Sequence, residues 1–425
     1  MIRRSARTPS DRDPPHVRRH SYGKSVEDAN ASLSSTSVTS GSDAVGVQAA
    51  SILGGVSVVE WRHGGHRLSY VAAIARSANQ ASIEIELVTS SAVESSDEYR
   101  IHLAQLVDDR SLLVRTSERL ASGRGLSREL RSIRDRHRAA VLPEADKFLH
   151  VLLVAKLLRR LPVPTVAIVM RPPRSGGGWR DRIRAMLKTA LVLAASPLPA
   201  LDVQLLEDPL AEGDERVWRS RLLRSAKWRL NDPCALLETP ASNLPPELAE
   251  VTIDRSVLAI VGVIDSRKQL PLVLAGWQFA GADGDLVIAG KQSPDVSAWL
   301  RSFGPLPKNV YFVDRYLTDS EVRAIVERSR GILLLYDGGF SSGFMVAAAA
   351  AGRWAITIVG SRTGRVASSQ GFGVPSEATP AGVAFAIKTV LTNQAMPPAV
   401  SVPGPTDFGR CILRRVIETR ASQCP

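Results

Sequence analysis

A chain of 425 residues with 44% hydrophobic content is long enough for two domains, each with its own core. Its 54 Lys and Arg against 42 Asp and Glu leave a formal charge of +12, which favours anionic partners such as phosphates, nucleic acid or acidic lipid headgroups. The three cysteines, Cys234, Cys411 and Cys424, form no C-x-x-C pair, which argues against a disulfide framework or a zinc site and fits a reducing cytoplasm.

Residues 1–54 are polar, mixed in charge and of low complexity between Ser32 and Ser42. They offer too little apolar surface to offset the entropy of ordering, so a disordered tail is expected, and no apolar core follows its charges to suggest a signal peptide. A strand over 57–61, a glycine turn over 62–65, a helix over 67–78 and a strand over 83–88 predict a βαβ unit with a right-handed crossover. Residues 110–138 carry nine arginines against three acidic residues and read as mainly helical, broken at Gly123-Arg124-Gly125, with a solvated basic face. A helix over 148–161 and a buried strand over 165–170 follow, running into Arg171-Pro-Pro-Arg174. A helix from 179, a strand over 201–207 and a basic helix from 218 to 229 close the first domain, 55–240. The most apolar stretch, 185–203, is interrupted by Lys188, Asp202 and two prolines and falls short of the roughly 20 residues of a membrane span.

A proline-bearing hinge over 241–254 leads to a second domain, 255–395. Strands are expected at 257–263, 286–289 and 310–313, and helices at 270–277, 297–303 and 319–329. Ile332 to Leu335 is a continuous apolar run, as for a strand covered on both faces of a parallel sheet. Asp337-Gly-Gly breaks it, and Ser341-Ser342-Gly343 opens a helix that is nearly all alanine before Gly352-Arg353 and another strand at 355–359. A serine at a helix start caps backbone amides, and the free amides beside it, with the positive end of the helix dipole, suit a phosphate. Thr379-Pro380 begins a further helix, with proline where its missing amide costs nothing. Residues 396–425 form an extension whose helix, 406–419, is expected to pack back across the domain junction. The alternation throughout predicts an α/β protein.

The order of apolar strand, Tyr336, glycine-rich turn, Ser341-Ser342-Gly343, alanine-rich helix, Gly352-Arg353, strand, Gly364-Arg365 and Gly371-Phe372-Gly373 resembles the donor half of GT-B glycosyltransferases of the family 4 type. The resemblance spans most of 57–395 and is carried by its second half. It implies two Rossmann-like domains with parallel sheets facing a cleft, acceptor on the first and nucleotide sugar on the second. It also implies retention of anomeric configuration, and neither a metal nor a cofactor beyond the donor itself. In this family the loop at Gly262 supplies an arginine and a lysine to the diphosphate. Lys268 falls on the lysine position, but Val263 stands on the arginine position, and Arg267 is the neighbouring cation. The two glutamates usual in the donor domain are replaced by Gly339 and Ala347, and Ser341, Ser342 and Gly343 match a Ser-Ser-Gly variant. Gly64-Gly65-His66 matches the first-domain loop, where glycines admit the donor phosphate or sugar.

Arg267 and Lys268, at the carboxyl end of a parallel strand, are placed to neutralise a departing diphosphate. His66 can donate to a phosphate or serve as acid or base near neutral pH. Arg171 and Arg174 would face the same cleft and take an acceptor phosphate. The expected activity is transfer of a hexose from a nucleotide sugar to a glycan or lipid-linked polysaccharide precursor, in the cytoplasm. The charge leaves room for peripheral contact with an anionic membrane. The alternative is a degenerate GT-B scaffold that binds a nucleotide or a protein partner without transfer, suggested by Val263 and Ala347. Specific nucleic-acid binding is not expected, since the basic helices lack a recognisable reading motif.

Overall fold

The computed structural model describes residues 54–421 except 65–66, 121, 137, 159–160, 162, 171–178, 196–199, 211–228, 235–237, 241–242, 252–255 and 337–341. The first sheet comprises β1 (Val56–Val59), β2 (Ile85–Thr89), β3 (Leu113–Thr116), β4 (Ala139–Leu142), β5 (Thr165–Val169), β6 (Leu201–Glu207) and β7 (Arg229–Asn231). Between them run α1 (Arg67–Gln80), the short α2 (Ser91–Glu94), α3 (Asp97–His102) and α4 (Ala104–Asp108), then α5 (Gly123–Asp135), α6 (Leu149–Leu157) and α7 (Trp179–Ala195). The second comprises β8 (Val257–Val261), β9 (Asp285–Ala289), β10 (Val310–Val313), β11 (Gly331–Leu334), β12 (Trp354–Ile358) and β13 (Gly373–Ser376). Its helices are α8 (Leu270–Ala280), α9 (Pro294–Phe303), α10 (Asp319–Arg328), α11 (Gly343–Ala350), α12 (Arg362–Ser369) and α13 (Pro380–Thr392), and α14 (Pro405–Ala421) ends the chain.

Both sheets are parallel throughout, ordered β3-β2-β1-β4-β5-β6-β7 and β10-β9-β8-β11-β12-β13. In each, successive side chains of the central strands point to opposite faces and feed two cores. Val56 and Val58 enter one core of the first domain while Val59 enters the other, and Ala259 and Leu258 divide the same way in the second. Strand order reverses between β1 and β4 and again between β8 and β11. Ligands of open parallel sheets bind at that reversal, outside the carboxyl ends of the strands.

Two sequence expectations are corrected. The arginine-rich stretch expected to be mainly helical contains β3, whose Leu113-Val114-Arg115-Thr116 pairs with β2. Its charges are not all solvated either. Arg115 and Arg136 converge on the buried Glu86, at 3.3 and 2.9 Å, Arg115 also reaches Glu129 at 2.8 Å, and Ser57 donates to Glu86 at 2.9 Å. Arg229, expected at the end of a basic helix, opens β7 beside Glu207; the rest of that helix, 218–228, lies outside the described residues, as does the tail over 1–53.

Loops beyond the carboxyl ends of the two sheets touch at two places. His102, after β2, meets Asp319, after β10, at 3.3 Å, and near it the charges of Glu98 and Asp97 add to burial in raising the Tyr316 hydroxyl pKa. On the other side Arg362, after β12, lies 4.0 Å from Asp208, after β6, and Gln370 donates to the Leu210 carbonyl at 3.2 Å. The two reversals lie between these contacts. Helix α14, which follows the second domain, packs on the first: Phe408, Ile412, Leu413 and Val416 enter the core of α1. The Phe408 ring lies 5.1 Å from that of Tyr70, whose hydroxyl donates to Asp232 at 2.6 Å.

The crossing of α14 over α1 depends on Gly409, where a Cβ would stand 2.5 Å from the Ala73 carbonyl oxygen. Alanine in a helix otherwise gains about 1 kcal/mol over glycine, so the sign of the change reports packing. Gly409→Ala is expected to lose about 1 to 3 kcal/mol in denaturant unfolding. A neutral or stabilising substitution would show that α14 does not close the first domain in this way.

Candidate functional site

At the reversal in the second sheet, β8 is followed by Gly262, whose φ of +92° and lack of a side chain are both required: a Cβ would stand 2.4 Å from the Phe344 ring. Asp265 then organises a 3-10 turn over Ser266–Lys268 by accepting from the Arg267 amide at 3.1 Å. The same carboxylate takes the Arg267 guanidinium at 2.8 and 2.6 Å, so this largely exposed cation arrives already paired. Gln269, at φ +53°, turns the chain into α8 and carries Lys268 inward. Lys268 is only 8% exposed. Its Nζ donates to the Val261 carbonyl at 3.0 Å and lies 5.0 Å from the ring centroids of both Tyr336 and Phe344. Burial pulls its pKa down to about 8, against the opposing charge of Asp265. Two of the three ammonium protons remain beyond the one given to Val261.

Tyr336 leaves the end of β11, and burial raises its hydroxyl pKa. That hydroxyl shares a very short hydrogen bond with the Ser342 hydroxyl. Ser342 holds the cap position of α11 with extended backbone, yet its side chain caps nothing, which corrects the expectation of a serine cap. Tyr336 has taken the hydroxyl. The first helical amides, of Gly343 and Phe344, therefore have no carbonyl of their own helix and no side-chain cap, while those of Met345 and Val346 bond to the Ser342 carbonyl at 2.9 and 3.1 Å. Ala347, Ala348 and Ala349 are buried against the sheet, so no carboxylate occupies the position of Ala347. Ser341 and Gly339 lie outside the described residues.

At the reversal in the first sheet, Gly64 is described while Gly65 and His66 are not, and Arg171 and Arg174 also lie outside the described residues. The Gly64 carbonyl accepts a very short bond from Arg67, whose Nε donates to Glu144 at 2.6 Å. Arg62 reaches the same carboxylate at 3.5 Å. Beside them is a residue the sequence reading missed. Glu60, directly after β1, is fully buried; its Oε1 accepts from the Arg62 amide at 2.9 Å and its Oε2 has no partner among the described residues. Burial pushes its pKa to about 8, with the Arg62 amide and Arg67 opposing and Glu144 adding. The available signal was a carboxylate standing directly against an apolar strand end. Two acids thus sit at the ends of neighbouring strands, Glu60 protonated at neutral pH and Glu144 paired with Arg62 and Arg67. Among the described residues no group of His, Cys, Asp and Glu could hold a metal ion.

No protein-family model matches the sequence, and no curated protein matches it. Solved structures do. Anabaena HepE in complex with UDP-glucose aligns at 10% identity over 86% of this chain and 97% of its own, with a TM-score of 0.55. WaaG, a glycosyltransferase involved in lipopolysaccharide biosynthesis, aligns at 11% identity over 87% and 96%, with a TM-score of 0.52. A proposed UDP-N-acetylglucosamine 2-epimerase of Listeria monocytogenes aligns at 10% identity over 88% and 98%, with a TM-score of 0.59. The fold is GT-B. At these identities the likeness is one of fold, and a GT-B frame hosts more than one chemistry.

The state of Glu60 is open to direct measurement. Its folded pKa is raised, so between the usual carboxylate pKa and about 8 the native state holds a proton that the unfolded chain has lost, and stability falls as pH rises through that window. Glu60→Gln removes the cost. The variant is expected to gain melting temperature over wild type progressively from pH 5 to pH 8 and to hold that gain above it. A difference that does not change with pH would mean Glu60 is ionised in the folded protein.

Proposed function

We propose that this chain is a glycosyltransferase that moves a hexose from a nucleoside-diphosphate sugar to a glycan or polysaccharide-precursor acceptor. One observation carries the reading. Lys268, the Tyr336–Ser342 hydroxyl pair and the uncapped amides of Gly343 and Phe344 come from neighbouring strand ends at the reversal of the second sheet, in a GT-B frame. A cation, two hydroxyls and a helix N-terminus together answer a diphosphate, and they stabilise most strongly the charge that grows on it as the glycosidic bond breaks. Support also comes from the UDP-glucose bound to HepE and from the glycosyltransferase WaaG. Arg267 adds a second, solvent-facing cation whose reach toward a phosphate requires release from Asp265.

On this reading the first domain contributes Gly64, Gly65 and His66 opposite the diphosphate, and Arg171 and Arg174 toward an acceptor phosphate. Glu60, neutral near pH 7, adds a proton donor at the base of that loop. The transfer is retaining, as the resemblance implies. No metal is needed to balance the diphosphate, because Lys268 and the helix amides already supply positive charge.

A second reading is a scaffold that holds a nucleotide without turnover. It is favoured by Ala347, a buried methyl where the family places a carboxylate. The two readings part on donor consumption. Nucleoside diphosphate released from a panel of nucleotide sugars supports transfer or hydrolysis, whereas binding without release supports the scaffold.

Lys268 strengthens diphosphate binding only while charged, and its ammonium loses its proton as pH rises through about 8. Affinity for UDP, GDP or ADP is therefore expected to fall by about tenfold per pH unit above that point, with nucleoside affinity flat. Lys268→Met should remove the pH slope and weaken diphosphate binding by the ~1.5 to 3 kcal/mol of a hydrogen bond to a charged group. Calorimetry that finds equal affinity in variant and wild type would take Lys268 out of the site.

A further inference from the structure

Helices α6 and α7 flank β5 on one face of the first sheet and bury their inner sides in one core, through Leu149, Leu152 and Leu153 on α6 and Val192 on α7. Their outer sides are apolar as well. Val154, Leu157 and Leu158 are 53, 61 and 57% exposed at the end of α6. Trp179, Ile183, Met186 and Leu187 are 68, 45, 71 and 61% exposed on α7, at the i, i+4, i+7, i+8 spacing of one helix face. Among the described residues these seven are most of the twelve exposed large hydrophobic side chains, and the other five are scattered over the rest of the chain. Single exposed apolar residues are ordinary, but a contiguous set on two adjacent helices marks an interaction surface.

The charge around it selects the partner. Of the described Lys and Arg between Lys147 and Lys188, Lys156 is buried on the Leu201 carbonyl and Lys188 pairs with Asp146, which leaves Lys147, Arg180 and Arg184 as the exposed cations. Arg180 and Arg184 are exposed one residue round the helix from the apolar stripe, and the Arg180 guanidinium lies 5.5 Å from the Trp179 ring. Lys147 and His150 are exposed at the start of α6. We propose that the outer face of α6 and α7 docks on an anionic lipid bilayer, with the apolar stripe among the acyl chains and the cations among the headgroups. An in-plane helix has these features: an apolar face, a basic flank and an aromatic residue that suits the headgroup level. Its 17 residues extend about 25 Å along the surface. No helix among the described residues is long and apolar enough to cross a membrane, so the attachment is peripheral. Two copies of this chain meeting through the same face would bring like charges together, and a nucleic acid would leave the apolar stripe without a partner. The inference stands apart from the transfer reading, because it needs only these two helices.

The test is flotation of the full chain with vesicles of phosphatidylcholine alone or mixed with phosphatidylglycerol. The protein is expected to float with the anionic vesicles, to float poorly with the neutral ones and to be released by high salt. Ile183→Ser/Met186→Ser/Leu187→Ser should lower partition at least tenfold with an unchanged melting temperature, since these side chains contribute little to the core. Phe279→Ser/Phe385→Ser, which removes exposed aromatics of the second domain, should leave partition unchanged. Failure to float with anionic vesicles overturns the proposal, as does undiminished binding by the triple variant. A wild-type dimer in light scattering that the triple variant dissolves assigns the face to a second copy instead, and vesicle binding displaced by DNA assigns it to nucleic acid.

Discussion

A buried ammonium constrains the strand reversal of the second domain. A lysine removed from water needs compensation for its charge, and Lys268 finds it in the Val261 carbonyl and the faces of Tyr336 and Phe344. That arrangement dictates its neighbours. Gly262 can be nothing larger, because Phe344 occupies the space of its side chain, and Gly290 packs against Gly262 so closely that its own Cβ would stand 1.9 Å from the Gly262 carbonyl oxygen. Tyr336, held by the lysine on its face, binds Ser342 through its hydroxyl and so leaves the α11 amides uncapped. A charge, two hydroxyls and helix amides that no described side chain caps are thereby arranged at one strand reversal. Preorganised groups of this kind favour developing negative charge without reorganising around it.

The first domain solves the opposite problem. Two carboxylates approach each other at the ends of β1 and β4, and the structure separates their roles by solvation and partners. Glu144 collects Arg62 and Arg67, while Glu60, with one oxygen unpartnered among the described residues, holds its proton to about pH 8. Arg67 ties this pair to the Gly64 carbonyl and hence to the glycine loop.

The fold class was legible in the sequence because apolar runs such as 165–169, 257–261 and 332–335 are strands buried on both faces, and their alternation with helices leaves few topologies. The misread stretch, β3, is short, half exposed and embedded among arginines, and its strand character comes from β2 and from Glu86, 29 residues away in sequence. Side-chain roles were less legible. Local chemistry suggested that Ser342 would cap its helix, but a tyrosine six residues earlier competes for the hydroxyl. Arg267 read as a cation placed to neutralise a diphosphate, and it is paired with Asp265, two residues before it. The sequence showed Glu60 only as a carboxylate against an apolar strand end, and its protonation is set by burial that the assembled sheet creates. The roles of His66, Gly65, Ser341, Arg171 and Arg174 rest on sequence alone.

A nucleoside diphosphate held at the reversal of the second sheet, facing the glycine loop of the first, would shield both segments. Hydrogen exchange of the full chain, with and without a saturating mixture of UDP, GDP and ADP, measures that shielding. Slowed exchange is expected in the segments over 262–269 and 342–346, with a smaller effect around Gly64 and Arg67. Unchanged exchange in both second-domain segments, or protection appearing only elsewhere in the chain, would overturn the assignment.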